Sequence, residues 1–93
     1  MPTNVTDLKF TLASIDKLGA RNISEMEVTE VPWNRYVVVH NPHGRGPGRR
    51  FLIGRTHGAR ALTLVISPTD DPTTWLVITG WESTPRERKI LYR

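Results

Sequence analysis

The stretch Trp75–Lys89, WLVITGWESTPRERK, constrains the fold more than any other part of this chain. In WLVITGW, Trp75, Val77, Thr79 and Trp81 point one way along an extended chain, and Leu76, Ile78 and Gly80 point the other. A strand with one wet face alternates apolar and polar residues; this run is apolar on both parities, so a central strand is expected. A helix start follows directly, with Thr84 as N-cap, Pro85 at the first helical position and Glu87 closing a capping box. Arg86, Arg88, Lys89 and Arg93 then accompany a single glutamate. Such a basic helix beside a sheet suits a polyanion, and it equally suits a solvated surface.

Three further runs read as strands. Tyr36–His40 (YVVVH) is β-branched, Phe51–Gly54 (FLIG) is apolar, and Ala61–Ser67 alternates, with Leu62, Leu64 and Ile66 on one face and Ala61, Thr63 and Val65 on the other. No helical pattern separates the runs, so a four-stranded antiparallel meander is expected. Two helices are expected ahead of it. Thr6 or Asp7 caps the first, over about residues 7–18, where Leu8, Leu12, Ile15 and Leu18 form an apolar stripe that Gly19 ends and Phe10 lies off. Ser24-Glu25-Met26-Glu27 starts the second, which must end before Pro32. The expected architecture is one α+β domain over residues 1–93, with residues 1–5 loose, two N-terminal helices, the meander and a C-terminal helix. If Leu62, Leu64, Leu76 and Ile78 face the helices, Thr63, Thr79 and Trp81 lie on an opposite face that two helices leave open.

Composition narrows the function. A chain of 93 residues supports one modest core, and without cysteine it has neither disulfides nor thiol chemistry. The N-terminus lacks the apolar h-region of a signal peptide, and no apolar run is long enough to span a membrane. A soluble cytoplasmic protein with no membrane partner is therefore expected. Charge is unevenly placed: residues 1–33 carry a net −2 and residues 34–93 a net +6, with ten arginines to three lysines overall. Guanidinium forks match phosphate and stack on bases, which favours a nucleic-acid partner over general solubility.

His57 sits between Arg55 and Arg60 on a tight turn, where Gly58 is expected to take the positive φ. RNA cleavage by its own 2′-hydroxyl needs a base, a cation for the developing phosphorane charge and an acid for the leaving oxygen. His57 is the candidate base, with Arg55, Arg60 and Arg86 to hold the charge. An exposed turn histidine often does nothing special. Arg49 and Arg50 follow the loop Asn41–Gly48 (NPHGRGPG), which can wrap a phosphate backbone or simply connect two strands; it lacks the ending of a P-loop. Trp81 on an open face can stack on a base, or it can pack as core under the last helix. His40 and His43 straddle a strand end and a proline with no cysteine or carboxylate close in sequence, so no metal site is assigned. Asp70-Asp71-Pro72 reads as turn chemistry, and no cofactor fingerprint is present.

In their order and spacing, several pieces resemble the BrnT toxin family of bacterial type II toxin–antitoxin systems, whose fold is RelE-like. Lys17-Leu18-Gly19 with Ser24–Val31 resembles the family's Lys-His-Gly and the Glu-rich short helix after it. Arg50–Thr56, then Gly58 and Arg60, resembles its Arg-Phe-x-x-Ile-Gly strand and Gly-Arg turn, and Ile78–Arg88 resembles its ending. Thr79-Gly80-Trp81 stands where the family has Ser-Ala-Arg, and the family's opening Phe-Glu-Trp-Asp strand has no clear counterpart. The resemblance implies metal-independent mRNA cleavage and neutralisation by a small DNA-binding antitoxin, in a toxin–antitoxin complex or a homo-oligomer. On that reading Arg49, Arg50, Trp81, Arg88 and Lys89 bind RNA around His57, Arg55, Arg60 and Arg86. The alternative is a non-catalytic domain that binds nucleic acid or protein, which Trp81 in place of the family's arginine favours.

Overall fold

The computed structural model describes residues 4–40 and 48–92. In chain order the elements are β1 (Asp7–Lys9), α1 (Leu12–Gly19), α2 (Glu25–Glu30), a 3-10 turn (Val31–Trp33), β2 (Tyr36–His40), β3 (Arg50–Arg55), β4 (Ala61–Pro68), β5 (Thr74–Glu82) and α3 (Pro85–Leu91). Strands β2 to β5 form the expected antiparallel meander. The sheet nevertheless has five strands, not four, in the order β1-β5-β4-β3-β2, and β1 pairs parallel with β5. No helix among the described residues is long and apolar enough to cross a membrane.

The extra strand replaces the start of the expected first helix. Asp7, Leu8, Lys9 and Phe10 alternate exposed and half-buried, the period of a strand edge. Phe10 thus lies off the helical stripe because it belongs to a period of two. The helix begins instead at Thr11, whose hydroxyl accepts from the Ser14 N–H while the Ser14 hydroxyl accepts from the Thr11 N–H. Leu12 falls on the outer side of α1 and is 83% exposed, whereas Ser14 and Leu18 are buried. Nor are residues 4 and 5 loose. Val5 is buried, its N–H donates to the Tyr36 hydroxyl at 3.1 Å, and the Asn4 carbonyl accepts from Trp75 Nε1 at 3.3 Å.

Helix α1 closes through Asn22 in the left-handed region (φ 60), with the Ile23 N–H returning to the Leu18 carbonyl. The other two capping boxes form as the sequence predicts, Ser24 with Glu27 and Thr84 with Glu87. The main core lies between the sheet and α1, α2 and the 3-10 turn. It joins Val5, Leu18, Ile23, Val28 and Val31 to Leu52, Leu62, Leu64, Ile66, Trp75 and Val77.

The sheet-face assignment is half reversed on β5. Val65 pairs with Thr79 and Ile66 with Val77, which leaves Ile78 as an extra residue in a β-bulge. Beyond the bulge the parity of β5 flips. Trp75 and Val77, not Leu76 and Ile78, therefore join Leu62 and Leu64 in the core, while Thr79 and Trp81 remain on the opposite face. Gly80 occupies the core side opposite Leu64, and a β-carbon there would lie 2.6 Å from Leu64 Cδ2 and 3.1 Å from Leu18 Cδ2. The missing side chain lets α1 approach β5 closely.

The opposite face is not left bare. Helix α3 packs over its β2–β3 end, where Ile53, Thr63 and Leu91 are all fully buried. Glu87 anchors the helix, accepting from Thr63 Oγ1 at 3.0 Å, Trp81 Nε1 at 3.0 Å and the Thr84 N–H at 2.8 Å. Ser83 completes this knot, its hydroxyl 2.8 Å from Thr63 Oγ1.

Candidate functional site

The turn from β3 to β4 and the segment entering β2 meet at one end of the sheet. The turn is closed by the Thr56 N–H donating to the Arg60 carbonyl and the Ala59 N–H to the Thr56 carbonyl. Ala59, not Gly58, takes the positive φ, at 67°. Together Asn34, Arg35, Arg55, Thr56, His57 and Ala59 line an open concavity of about 240 Å³.

Asn34 organises this corner. Its Nδ2 donates to the Arg55 carbonyl at 2.9 Å, lies 3.3 Å from the Glu30 carbonyl, and is 3.1 Å from His57 Nδ1. Carbonyl oxygens only accept, so the amide nitrogen of Asn34 must face them. The His57 ring is thereby tethered through Nδ1 at the rim of the concavity it lines. Glu30 fixes the backbone of the same residue, accepting from the His57 N–H at 2.9 Å.

Arg55 is held from the other side. Its guanidinium lies 5.3 Å from the centroid of the Tyr92 ring, a cation–π contact that couples the pocket to the C-terminal end of α3. Two arginines and an imidazole around one concavity can receive an anion with several oxygens, such as a phosphodiester.

The remaining proposed site residues lie elsewhere. Arg60 points away from the concavity into an ion-pair clasp, with Nε 2.8 Å from Glu82 Oε1, and Nη1 3.2 Å from Glu27 Oε2 and 2.9 Å from the Asn22 carbonyl. The hydrogen bond to Glu82, followed by that to Glu27, holds its proton more firmly than an ordinary arginine's. Glu27 lies below the ordinary glutamate range, chiefly because the Ser24 N–H donates to it, with Arg60 adding to the effect. Arg88 folds back on the Ser83 carbonyl at 2.9 Å, and Arg86 and Lys89 are exposed on α3. Arg50 donates to the Arg49 carbonyl at the far end of β3. Five residue steps put roughly 17 Å between Arg50 and Arg55. Trp81 is half-buried, its Nε1 bound to Glu87 and its ring edge-on to Phe51 with centroids 5.7 Å apart. Residues 41–47 of the basic loop, His43 and Arg93 fall outside the described residues.

Asn34, Arg35 and Tyr92 escaped the sequence reading. Asn34 and Arg35 stand more than twenty positions from His57, and nothing local to the chain announces that β2 will deliver them there. No protein-family model matches the chain, and no curated protein does.

Proposed function

We propose that the protein is a toxin-like ribonuclease that grips an RNA phosphate at the Asn34–Arg35–Arg55–His57 concavity. One observation supports the reading: the segment entering β2 and the β3–β4 turn bring Arg35, Arg55 and His57 to the lining of one open concavity. The order of an edge strand, two short helices, an antiparallel meander and a final helix is what supports reading the fold as RelE-like. In the reaction the 2′-oxygen bonds to phosphorus and the bond to the 5′-oxygen breaks. Water takes the 2′ proton and supplies one to the leaving oxygen, giving a cyclic phosphate and a 5′-hydroxyl. The arginines stabilise the charge that develops on the phosphorane. His57 acts as a hydrogen-bond donor to the phosphate. A small DNA-binding antitoxin would neutralise the protein by covering this end of the sheet.

Purified protein should cleave single-stranded RNA in the presence of a chelator, and inducing it in bacteria should slow growth and fragment mRNA. Arg55→Ala should abolish both effects. Intact transcripts and unimpeded growth on induction would overturn the reading.

The second reading is an RNA-binding domain without catalysis. It is favoured by the commitment of Arg60 to Glu27 and Glu82 and of Trp81 to Glu87, which leaves a small set of charges at the concavity. Salt-sensitive RNA binding with no cleavage would select it.

A further inference from the structure

The two edges of the sheet are built differently. β1 is three residues long and exposes Asp7 and Lys9, the usual guards against unwanted pairing. β2 is five residues long, pairs only with β3 among the described residues, and reads Tyr-Val-Val-Val-His. It has no carboxylate, lysine, arginine, proline or bulge within it. Its outer row of backbone N–H and C=O groups is therefore a template for another strand. Trp33, three residues ahead of it, is 81% exposed.

We propose that β2 is a homodimerisation edge, and that two copies join their sheets through antiparallel β2–β2 pairing about a two-fold axis. The sequence of the strand selects a second copy as the occupant. An axis normal to the sheet keeps both cores on the same side and requires paired residues of equal parity. Centred on Val38, it pairs all five residues: Val38 with Val38, Val37 with Val39, and Tyr36 with His40. β-branched residues then meet β-branched residues, an aromatic ring meets an imidazole, and no formal like charges face each other. For a chain of net charge +4, this uncharged edge is a place where two copies can approach without repulsion between facing side chains. The pairing also brings His40 of the second copy beside Tyr36, next to the strand end from which Asn34 and Arg35 enter the concavity. The inference does not depend on the RNA reading.

Sedimentation of the full chain over a wide concentration range should show a reversible monomer–dimer equilibrium. The chain has no cysteine, so a single introduced thiol reports the register. Facing β-carbons in an antiparallel pair lie about 4.5–5.5 Å apart, close enough for a disulfide after modest adjustment. Val38→Cys, a conservative change, should cross-link to a dimer under mild oxidation by copper phenanthroline. Val37→Cys and the helix-surface control Thr29→Cys should stay largely monomeric. A monomer at every concentration would refute the proposal. So would a dimer in which Val38→Cys cross-links no better than the controls, which would assign the contact to another surface. Protection of the edge by an unrelated extended peptide, with no self-association, would identify a foreign strand as the occupant and also refute it.

Discussion

Replacing Arg60 with alanine severs contacts to Glu82, Glu27 and the Asn22 carbonyl at once. The partners are partly exposed, so the expected loss is modest, about 1 kcal/mol. It should appear as a lower urea midpoint with unchanged affinity for RNA. Arg55→Ala should do the reverse, because Arg55 lines the concavity and, among the described residues, has no acidic partner that its loss would strand. Glu87 gives a separate test through pH. Burial raises its pKa, but hydrogen bonds from the Thr84 N–H, Trp81 and Thr63 outweigh burial and hold it below 4.5, the ordinary value. A carboxylate with a depressed folded pKa contributes stability that is fully present above the unfolded pKa. That contribution is lost as pH falls through the folded value. Glu87→Gln should therefore flatten part of the fall in unfolding midpoint below about pH 4.5. Glu87→Ala leaves the fully buried Thr63 and the indole N–H short of a partner, and should cost about 2 kcal/mol at neutral pH.

Elements were legible where a local rule decides them. The capping boxes at Ser24 and Thr84 and the meander from Tyr36 to Trp81 follow from side chains within a few positions of one another. β1 was missed because Leu8 and Leu12 fit a helical stripe as well as Leu8 and Phe10 fit a strand. Only the pairing of Leu8 with Trp75, more than sixty positions away, decides between them. The bulge at Ile78 has no residue signature, since Val77 and Thr79 beside it are ordinary β-branched strand residues, so the faces of β5 could not be assigned from parity. Likewise the turn histidine was legible, but the asparagine 3.1 Å from its Nδ1 was not. Gly80 carries a consequence at this scale. Gly80→Val would drive a side chain against Leu64, Leu18 and the Thr63 carbonyl, forcing α1 off the sheet. A loss of about 1–3 kcal/mol in urea unfolding is expected. Gly58→Ala, where the nearest atom is 3.8 Å from the added carbon, should cost far less.

Across the whole molecule, two arginine pairs stand at opposite ends of β3. Arg35 and Arg55 stand at one end of β3, and Arg49 and Arg50 at the other. A mononucleotide can reach only one of these groups, whereas a longer single strand can bridge both. Each phosphate neutralised on single-stranded RNA adds about 0.7 to the slope of log affinity against log salt. If an oligonucleotide runs along the molecule, Arg55→Ala and Arg50→Ala should each lower that slope by about 0.7, while Arg60→Ala leaves it unchanged. Fluorescence anisotropy titrations at several salt concentrations measure all three. A slope that responds to Arg55 and ignores Arg50 would confine RNA to the concavity. A slope that responds to Arg60 would mean that its clasp with Glu27 and Glu82 opens when RNA binds, and the static arrangement of charges would no longer describe the bound state.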